Sequence, residues 1–458
     1  HTAYRRQRQM CIRDSTYMVF MNTIQLLCRN ITAIILLSFI AMFASCDNDD
    51  NNINEEPLPE EPQPVERTIL AYIWGDIDGE SGLVLSNSQL DYINKMEAGW
   101  DDSYAGSLYV YIDPSPMFVQ FENPVLLKIK HDDTPAIVSE VVKEYEPIGT
   151  HGDIARYPEV QNDVRAIAPA KSYGLMLFGH GSGILPFGLN DDNTFRTKGM
   201  GGDAVKYLEN REIADLTLPD YEFMIMHACM MASVEVAFEL RHKTRYLVAS
   251  EVSLSSVGWP WHENLSYLYT SPRADLSKFV LHSCEWLYNN SADDDKYATL
   301  SLIDASQLDK LAADTKKALM DSKITLADIQ DAFINKCHLT ENYFDDGKGE
   351  ELFQKNFPSA QLDFVDFMRK TGTFTDEWFS TYNKACLINT YGFGKDVKMY
   401  DEVDNHIEPY YNGLSIYPIM ALENYSGFQL FQDYVNYAIR SYRLNQWYTA
   451  CGFDLIDK

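Results

Sequence analysis

The sequence predicts an α/β fold with a mostly parallel central sheet, followed by a C-terminal α+β domain. Two apolar runs, Tyr173-Gly-Leu-Met-Leu-Phe and Phe223-Met-Ile-Met, are short and bounded by turn residues, which is typical of buried parallel strands. Helical patterns separate such runs along the chain, as in βαβ units. One run leads to His180 and the other to Cys229. Because open α/β sheets bind ligands beyond the carboxyl ends of their strands, both side chains are predicted to reach one crevice.

The composition is that of a globular protein with a strongly acidic balance. A chain of 458 residues can bury a large core, and a length of about 150 residues per domain suggests two or three domains. The formal charge of −29 argues against a nucleic-acid partner, because phosphate binding needs a basic surface. The eight cysteines form neither CxxC pairs nor metal-type clusters, so we expect no disulfide framework and no zinc site. Apart from Cys229, the cysteines of the folded part are expected to be small buried residues: Cys284, Cys337, Cys386 and Cys451.

The first 46 residues are predicted to lie outside the folded part. Residues 1–17 resemble a translated sequencing adaptor and are left out of the fold prediction. Residues 18–46 have the pattern of a secretion signal, with Arg29, an apolar core at 31–43 and two small residues before Cys46. The end of this segment, Phe-Ala-Ser-Cys, resembles a bacterial lipobox, which implies cleavage before Cys46 and acylation of that residue. The alternative is an ordinary signal peptide with a fortuitous cysteine.

Residues 47–66 are acidic and Pro-rich, and they are predicted to form an extended linker because such a composition cannot pack a core. An acidic run directly after a lipid-bearing cysteine resembles the export signal of surface-displayed lipoproteins in some Gram-negative bacteria. The alternative is that the acidic run is only part of a solvated linker and carries no export signal. The sequence therefore predicts an outer membrane lipoprotein, held through a lipid anchor on Cys46 and exposed at the cell surface.

The folded part is predicted to start at residue 67 and to alternate strands with helices. Before His180 the pattern predicts strands at 68–74, 108–112 and 125–129, with helices at 86–97 and 160–168. After Cys229 it predicts helices at 230–240 and 307–320, with strands at 246–251, 298–305 and 412–418. After about residue 325 the pattern changes to helices with short strands. We therefore predict a first domain at 67–298 and a C-terminal domain at 299–458 packed on it.

His180 and Cys229 are residue types that act together on amide carbonyls. A thiol attacks a carbonyl only as the thiolate, so it needs a base or a lowered pKa. His180 can take the thiol proton and return it to the leaving amine, and a helix that begins at Cys229 would stabilise the anion. Glycines at 179, 181 and 183 let the backbone approach a substrate, and the N–H groups of Gly181 and Cys229 are predicted to bind the oxyanion. No residue stands out as a third, orienting member.

Several segments together resemble the clostripain-like (C11) cysteine peptidases, which are relatives of caspases. Their order covers most of residues 67–458, and the 49 positions from His180 to Cys229 are close to the roughly 50 of caspases. The resemblance implies a caspase-like α/β sandwich with His180 as general acid/base and Cys229 as nucleophile. It implies no obligatory cofactor, although some members bind calcium, for which the acidic segment at 190–193 is either a candidate or a solvated loop. The segments are His180-Gly-Ser-Gly, Ala228-Cys-Met-Met-Ala, Glu235-Val-Ala-Phe-Glu-Leu, Ala249-Ser-Glu, Gly258-Trp-Pro-Trp, Leu300-Ser-Leu-Ile-Asp and Gly413-Leu-Ser-Ile-Tyr-Pro.

One position departs from the pattern of this family. Members that cut after Arg or Lys have Asp two residues before the nucleophile, where this sequence has His227. We place His227, Glu251 and Trp259 in the primary substrate pocket, and the alternative for His227 is a core histidine. A dyad of His227 with Cys229 is disfavoured, because two residues so close on a strand lack the geometry of a crevice. We therefore expect that strict cleavage after Arg or Lys is lost, unless Glu251 compensates.

These observations lead to a secreted, lipid-anchored cysteine endopeptidase that acts on protein or peptide substrates. One alternative is a catalytically silent surface binding lipoprotein that keeps the peptidase fold, and another is a structural module without a cleft. Family members are often cut between the His and Cys strands. Since the pocket aspartate is absent here, we expect a single intact chain or cleavage by another protease.

Overall fold

The computed structural model of the protein describes most of residues 63–457. The predicted leader with Cys46, most of the linker and the acidic segment at 190–193 lie outside the described residues. Among the helices that are described, none is both long and apolar enough to cross a bilayer. The described residues are 63–74, 82–114, 120–147, 155–186, 198–202, 207–255, 257–291, 297–337, 361–393, 396–400, 411–423 and 432–457.

A ten-stranded sheet forms the centre of the fold, in the order β14-β13-β11-β10-β9-β5-β1-β2-β3-β4. Strands β10, β9, β5, β1 and β2 are mutually parallel, and the strands outside them pair antiparallel. Two small sheets, β12-β15 and β6-β7-β8, lie beside it. The strands are β1 Val65–Ile73, β2 Gly106–Ile112, β3 Val125–Lys128, β4 Glu140–Glu144, β5 Ala170–Phe178, β6 Gly181–Pro186, β7 Lys198–Gly202, β8 Tyr207–Leu208, β9 Tyr221–His227, β10 Thr244–Ala249, β11 Tyr297–Asp304, β12 Leu362–Asp363, β13 Cys386–Phe393, β14 Asp396–Tyr400 and β15 Ser415–Ile416.

Helices cover both faces of the sheet, which explains why the central strands are apolar without alternation. In β1, Ile69 and Ala71 pack with helices α1, α5 and α6 on one face, while Leu70 and Tyr72 pack with α2 and α7 on the other. Full burial of a side chain as large as that of Ile69 or Leu70 contributes about 1.5–3 kcal/mol to the free energy of folding. The helices are α1 Gly82–Gly99, α2 Arg156–Ile167, α3 Asn210–Leu216, α4 Val234–Leu240, α5 Trp261–Leu268, α6 Leu276–Asn290, α7 Leu308–Asp321, α8 Leu326–Asp331, α9 Phe364–Lys370, α10 Asp376–Ala385, α11 Gln432–Tyr442, α12 Gln446–Ala450 and α13 Phe453–Ile456.

The predicted α/β fold with a mostly parallel central sheet is therefore confirmed. The antiparallel outer strands add to it, and three of them, β11, β13 and β14, continue the sheet beyond residue 298. The division into two domains at that residue stays a prediction.

Two predicted elements differ from the structure. The helix expected at 230–240 begins only at Val234, because Ser233 caps it by accepting a hydrogen bond from the Val236 N–H at 3.2 Å. Serine at this position is a strong N-cap signal. The strand expected at 412–418 is paired only over Ser415–Ile416, against Leu362–Asp363.

Candidate active site

The two central strands β5 and β9 bring His180 and Cys229 to the same edge of the sheet. The strands are parallel neighbours, and their last residues, Phe178 and His227, lie side by side. Since both strands end at the same level, the residues that follow them leave the sheet together. The Gly179 N–H donates to the His227 carbonyl at 3.5 Å, which keeps the two chains adjacent one residue further on.

The loops that carry His180 and Cys229 are in direct backbone contact at Gly181. A Cβ atom placed on Gly181 would lie 2.3 Å from the Cys229 carbonyl oxygen and 3.1 Å from the Cys229 nitrogen. Such distances leave no space for a side chain, so only glycine allows this approach. The structure thus brings Gly181 and Cys229 together, and the pairing of the His180 and Cys229 side chains stays a prediction. The N–H groups of Gly181 and Cys229 as oxyanion donors stay a prediction.

Cys229 lies in a turn after β9 and not in the first turn of a helix, since α4 begins at Val234. The expected stabilisation of its thiolate by a helix N-terminus is therefore replaced by another contact. The Leu254 N–H donates to the Cys229 Sγ at 3.2 Å. A hydrogen bond donated to sulfur favours the thiolate over the thiol. The next residue, Met230, has a φ of 59° and donates its N–H to the Val252 carbonyl at 3.0 Å, which fixes the turn.

Cys229 is the one half-buried thiol among the cysteines that the structure describes. The others are buried, as expected, and none of the described cysteines is in a disulfide. Burial raises the pKa of Cys284 to about 12, and burial likewise raises the pKa of Cys386 and that of Cys451. These thiols are therefore both inaccessible and protonated near neutral pH.

His227 is enclosed by aromatic rings at the end of β9. Its ring centroid lies 4.9 Å from those of Tyr92, Phe178 and Trp259 and 5.8 Å from that of Trp261. Burial, with a smaller effect of the Lys95 charge, lowers the pKa of His227 to about 3, so the imidazole is neutral at physiological pH. Trp259 is completely buried in the same cluster. The role of both residues in a substrate pocket stays a prediction.

The third predicted pocket residue, Glu251, contacts the C-terminal part of the chain. Its side chain is 1% exposed, and its Oε2 accepts the Gly413 N–H at 2.9 Å. Burial and the neighbouring charge of Asp363 raise the pKa of Glu251 well above that of an ordinary carboxyl. Asp363 is also buried and accepts the N–H of Asn412 at 2.6 Å and its Nδ2–H at 3.0 Å. No local pattern in the sequence indicates this carboxyl pair, because its members are 112 positions apart.

No metal site is evident in the part of the chain that the structure describes, where no three His, Cys, Asp or Glu side chains gather as ligands. Calcium binding at 190–193 is outside that part and stays untested.

The chain is similar to known cysteine peptidases in both sequence and fold. The model of the clostripain family, Peptidase_C11, matches residues 79–449. No curated protein matches the chain. Three solved structures share the fold, each over 85% of this chain. An inactive zymogen C11 protease from Parabacteroides distasonis is 20% identical, with a TM-score of 0.61 over 99% of its own chain.

The other two are secreted C11 cysteine proteases from Bacteroides thetaiotaomicron. One, in complex with an irreversible peptide inhibitor, is 22% identical with a TM-score of 0.56 over 99% of its chain. The other, iotapain, is 17% identical with a TM-score of 0.59 over 100% of its chain. The family match covers far more than half of the sequence, and it agrees with the motifs around His180 and Cys229. This chain therefore belongs to the clostripain family of cysteine peptidases.

Proposed function

We propose that the protein is a secreted cysteine endopeptidase in which Cys229 is the nucleophile and His180 the general acid/base. The observation that carries this proposal is the contact between their two loops at Gly181, at the carboxyl ends of neighbouring parallel strands. Cys229 is only half-buried, and the Leu254 N–H donates to its Sγ, which supports the role of nucleophile.

In the proposed reaction His180 takes the proton of the Cys229 thiol, and the sulfur attacks the carbonyl carbon of the substrate. The tetrahedral intermediate collapses when His180 gives that proton to the leaving amine, which leaves a thioester. Water, deprotonated by His180, then attacks the thioester and releases the carboxylate and the thiol. The N–H groups of Gly181 and Cys229 are the proposed oxyanion donors, a contribution worth about 3–4 kcal/mol per donor in other hydrolases.

Alkylation of the thiols by iodoacetamide tests the dyad. At about pH 6 an ordinary thiol with a pKa near 8.5 is almost wholly protonated, so Cys229 should be alkylated much faster than the buried cysteines. His180→Ala should slow the alkylation of Cys229 to the rate of an ordinary accessible thiol, whereas His242→Ala, which changes an exposed histidine, should leave that rate unchanged. Peptide mapping by mass spectrometry identifies the labelled residue. Equal rates at Cys229 and the buried thiols in the wild type would contradict the peptidase proposal.

A catalytically silent binding lipoprotein is the second candidate. It is favoured by His227 in the position where family members that cut after Arg or Lys have Asp. Under this proposal the protein binds peptides but does not turn them over, and Cys229 reacts no faster than an exposed thiol in a denatured control. Turnover of any member of a peptide library by the wild type, but not by Cys229→Ala, would exclude it.

For specificity we propose that neutral or polar residues are accepted at the cleaved bond. A buried Asp and an Arg substrate form a desolvated bidentate pair, and a neutral His227 cannot replace it. Glu251, which follows the neighbouring strand β10 and accepts the Gly413 N–H, is the candidate for compensation. A peptide-library digest that shows dominant cleavage after Arg would contradict this proposal. His227→Asp should move the preference toward Arg, and no change would place His227 outside the pocket.

Anchoring through an acylated Cys46 completes the proposal. Metabolic labelling with a fatty-acid analogue should mark the wild type, and Cys46→Ser should lose the label and release the protein from the outer membrane. External protease should reach the folded part on intact cells if the acidic run exports it. A wild type without label would contradict the lipid anchor. We also propose that the chain does not process itself, and two fragments that vanish in Cys229→Ala would contradict that.

A further inference from the structure

The loop between β9 and α4, residues 228–233, carries Cys229 and has little regular structure of its own. The Met230 N–H donates to the Val252 carbonyl at 3.0 Å, and the Ala232 N–H donates to the Ser250 carbonyl at 2.8 Å. At its end, Ser233 caps α4. The position of the nucleophile therefore depends on hydrogen bonds made by distant parts of the chain.

A segment near the C-terminus, residues 413–417, binds this loop, helix α4 and the residues that follow β10. Three alternate residues of the segment each donate a backbone N–H to an acceptor outside it. They donate to three acceptors around the loop, each at 2.9 Å: Gly413 to Glu251 Oε2, Ser415 to the Ala232 carbonyl, and Tyr417 to Glu235 Oε1.

Glu235 is the acceptor on α4, six positions after the nucleophile. Its side chain is completely buried, and its Oε1 also accepts the Tyr442 O–H at 3.3 Å. Burial raises the pKa of Glu235 to about 7, and the hydrogen bond from the Tyr417 N–H opposes this shift. A buried carboxyl costs stability unless hydrogen bonds compensate. Two of its donors, Tyr417 and Tyr442, lie on different parts of the C-terminal region, and the Ser233 side chain at the start of α4 also hydrogen-bonds to it. One carboxyl therefore joins α4 to both parts.

We propose that Glu235 is a positioning residue of the reaction: its carboxyl holds α4, and with it the Cys229 loop, against Tyr417 and Tyr442. This inference rests on the proposed function, since it assigns to Glu235 an effect on turnover at Cys229. Glu235 contacts neither substrate nor reacting atoms in this role. It acts by keeping the start of α4, and hence the loop that ends at Ser233, in register with the His180 loop.

Removal of the carboxyl should lower turnover more than substrate binding. In Glu235→Ala the Tyr417 N–H and the Tyr442 O–H lose their acceptor, and the loop is free to shift. Because a displacement of about 1 Å can cost up to about 100-fold in rate, we expect kcat to fall at least tenfold while KM changes less than about twofold. Glu235→Gln keeps an acceptor oxygen for the Tyr417 N–H, so kcat should stay within about threefold of the wild type. Tyr442→Phe removes one donor only and should cost about two- to threefold.

Glu239 offers a matched control on the same helix. It is 3% exposed, and its carboxyl accepts the N–H and Nε2–H of Gln446 at 2.7 and 2.8 Å, away from residues 413–417. Glu239→Ala should therefore lower the melting temperature without a selective loss of kcat. Two readouts are measured on each full-length variant: kcat and KM on a cleaved peptide, and hydrogen–deuterium exchange of residues 229–233, which does not depend on activity.

Faster exchange at 229–233 with a selective loss of kcat in Glu235→Ala, but not in Glu239→Ala, supports the proposal. The proposal is overturned if Glu235→Ala keeps the exchange rate of 229–233 and the kcat of the wild type. It is also overturned if Glu239→Ala loses as much kcat as Glu235→Ala. If Glu235→Ala does not fold, Tyr442→Phe decides: faster exchange at 229–233 with a loss of kcat of about two- to threefold supports the proposal, and wild-type values of both overturn it. A wild type without turnover contradicts the proposed function instead, and exchange alone then shows whether Glu235 holds the loop.

Discussion

Substitution of Gly181 by alanine tests whether the contact between the His180 and Cys229 loops sets the catalytic geometry. The added methyl would lie 2.3 Å from the Cys229 carbonyl oxygen and 3.0 Å from the Cβ of Ala228, while ordinary contact begins at 3.4 Å. The oxygen belongs to the backbone and cannot rotate away. The loops must therefore separate by about 1 Å, at a cost of about 1–3 kcal/mol for overpacking.

A separation of this size should affect turnover far more than folding. A misplacement of about 1 Å can lower a rate by about 100-fold, so kcat/KM of Gly181→Ala should fall about 100-fold on a cleaved peptide. Alkylation of Cys229 at about pH 6 should slow in parallel, because His180 no longer reaches the thiol.

Gly372→Ala is the control for stability alone. Gly372 has a φ of 72° and no atom within 4 Å of an added methyl, so alanine there costs about 1–2 kcal/mol of strain without a clash. Its melting temperature should fall as much as that of Gly181→Ala, with kcat/KM unchanged. If folded Gly181→Ala keeps kcat/KM within twofold of the wild type, the reasoning about this contact is refuted.

Three further predictions follow from buried side chains. Burial raises the pKa of Glu251 and brings that of Asp363 to about 7, so the folded state keeps protons that the unfolded chain releases. The free energy of unfolding should therefore fall as the pH rises from about 4 to 7. Thermal unfolding between about pH 4 and 7 measures this, and Glu251→Gln should flatten the curve; an equally steep curve would contradict the raised pKa of Glu251. His227→Phe should keep the ring packing and leave the pH profile of Cys229 alkylation unchanged, because His227 is neutral near pH 6. An altered profile would indicate that His227 acts as the base. Trp259→Ala should destabilise the fold by about 3–5 kcal/mol in denaturant unfolding, because a completely buried indole is lost; a loss below about 1 kcal/mol would mean that the aromatic cluster collapses into the space.

The placement of the Cys229 loop illustrates where local patterns fail. The apolar residues at 230–232 continue the helical pattern of α4, so the sequence suggests a helix that starts at the nucleophile. In the structure Met230 adopts a positive φ, and the loop is held by Val252 and Ser250 from the next strand end. These backbone acceptors come from another element, and only the Ser233 cap was readable in advance.

The sequence by itself determined the central strands, the family and the two candidate reactive residues. Continuous apolar runs are what a strand covered on both faces requires. Because parallel neighbours end at one edge, the loops that carry His180 and Cys229 lie together. Only the tertiary structure decided the surroundings of these residues. His227 is a neutral ring within an aromatic cluster. The carboxyls of Glu235 and Glu251 accept backbone N–H groups of residues 413–417. These contacts join residues more than 160 positions apart, so no local sequence pattern predicts them. The partners are set by burial and hydrogen bonding in the folded chain.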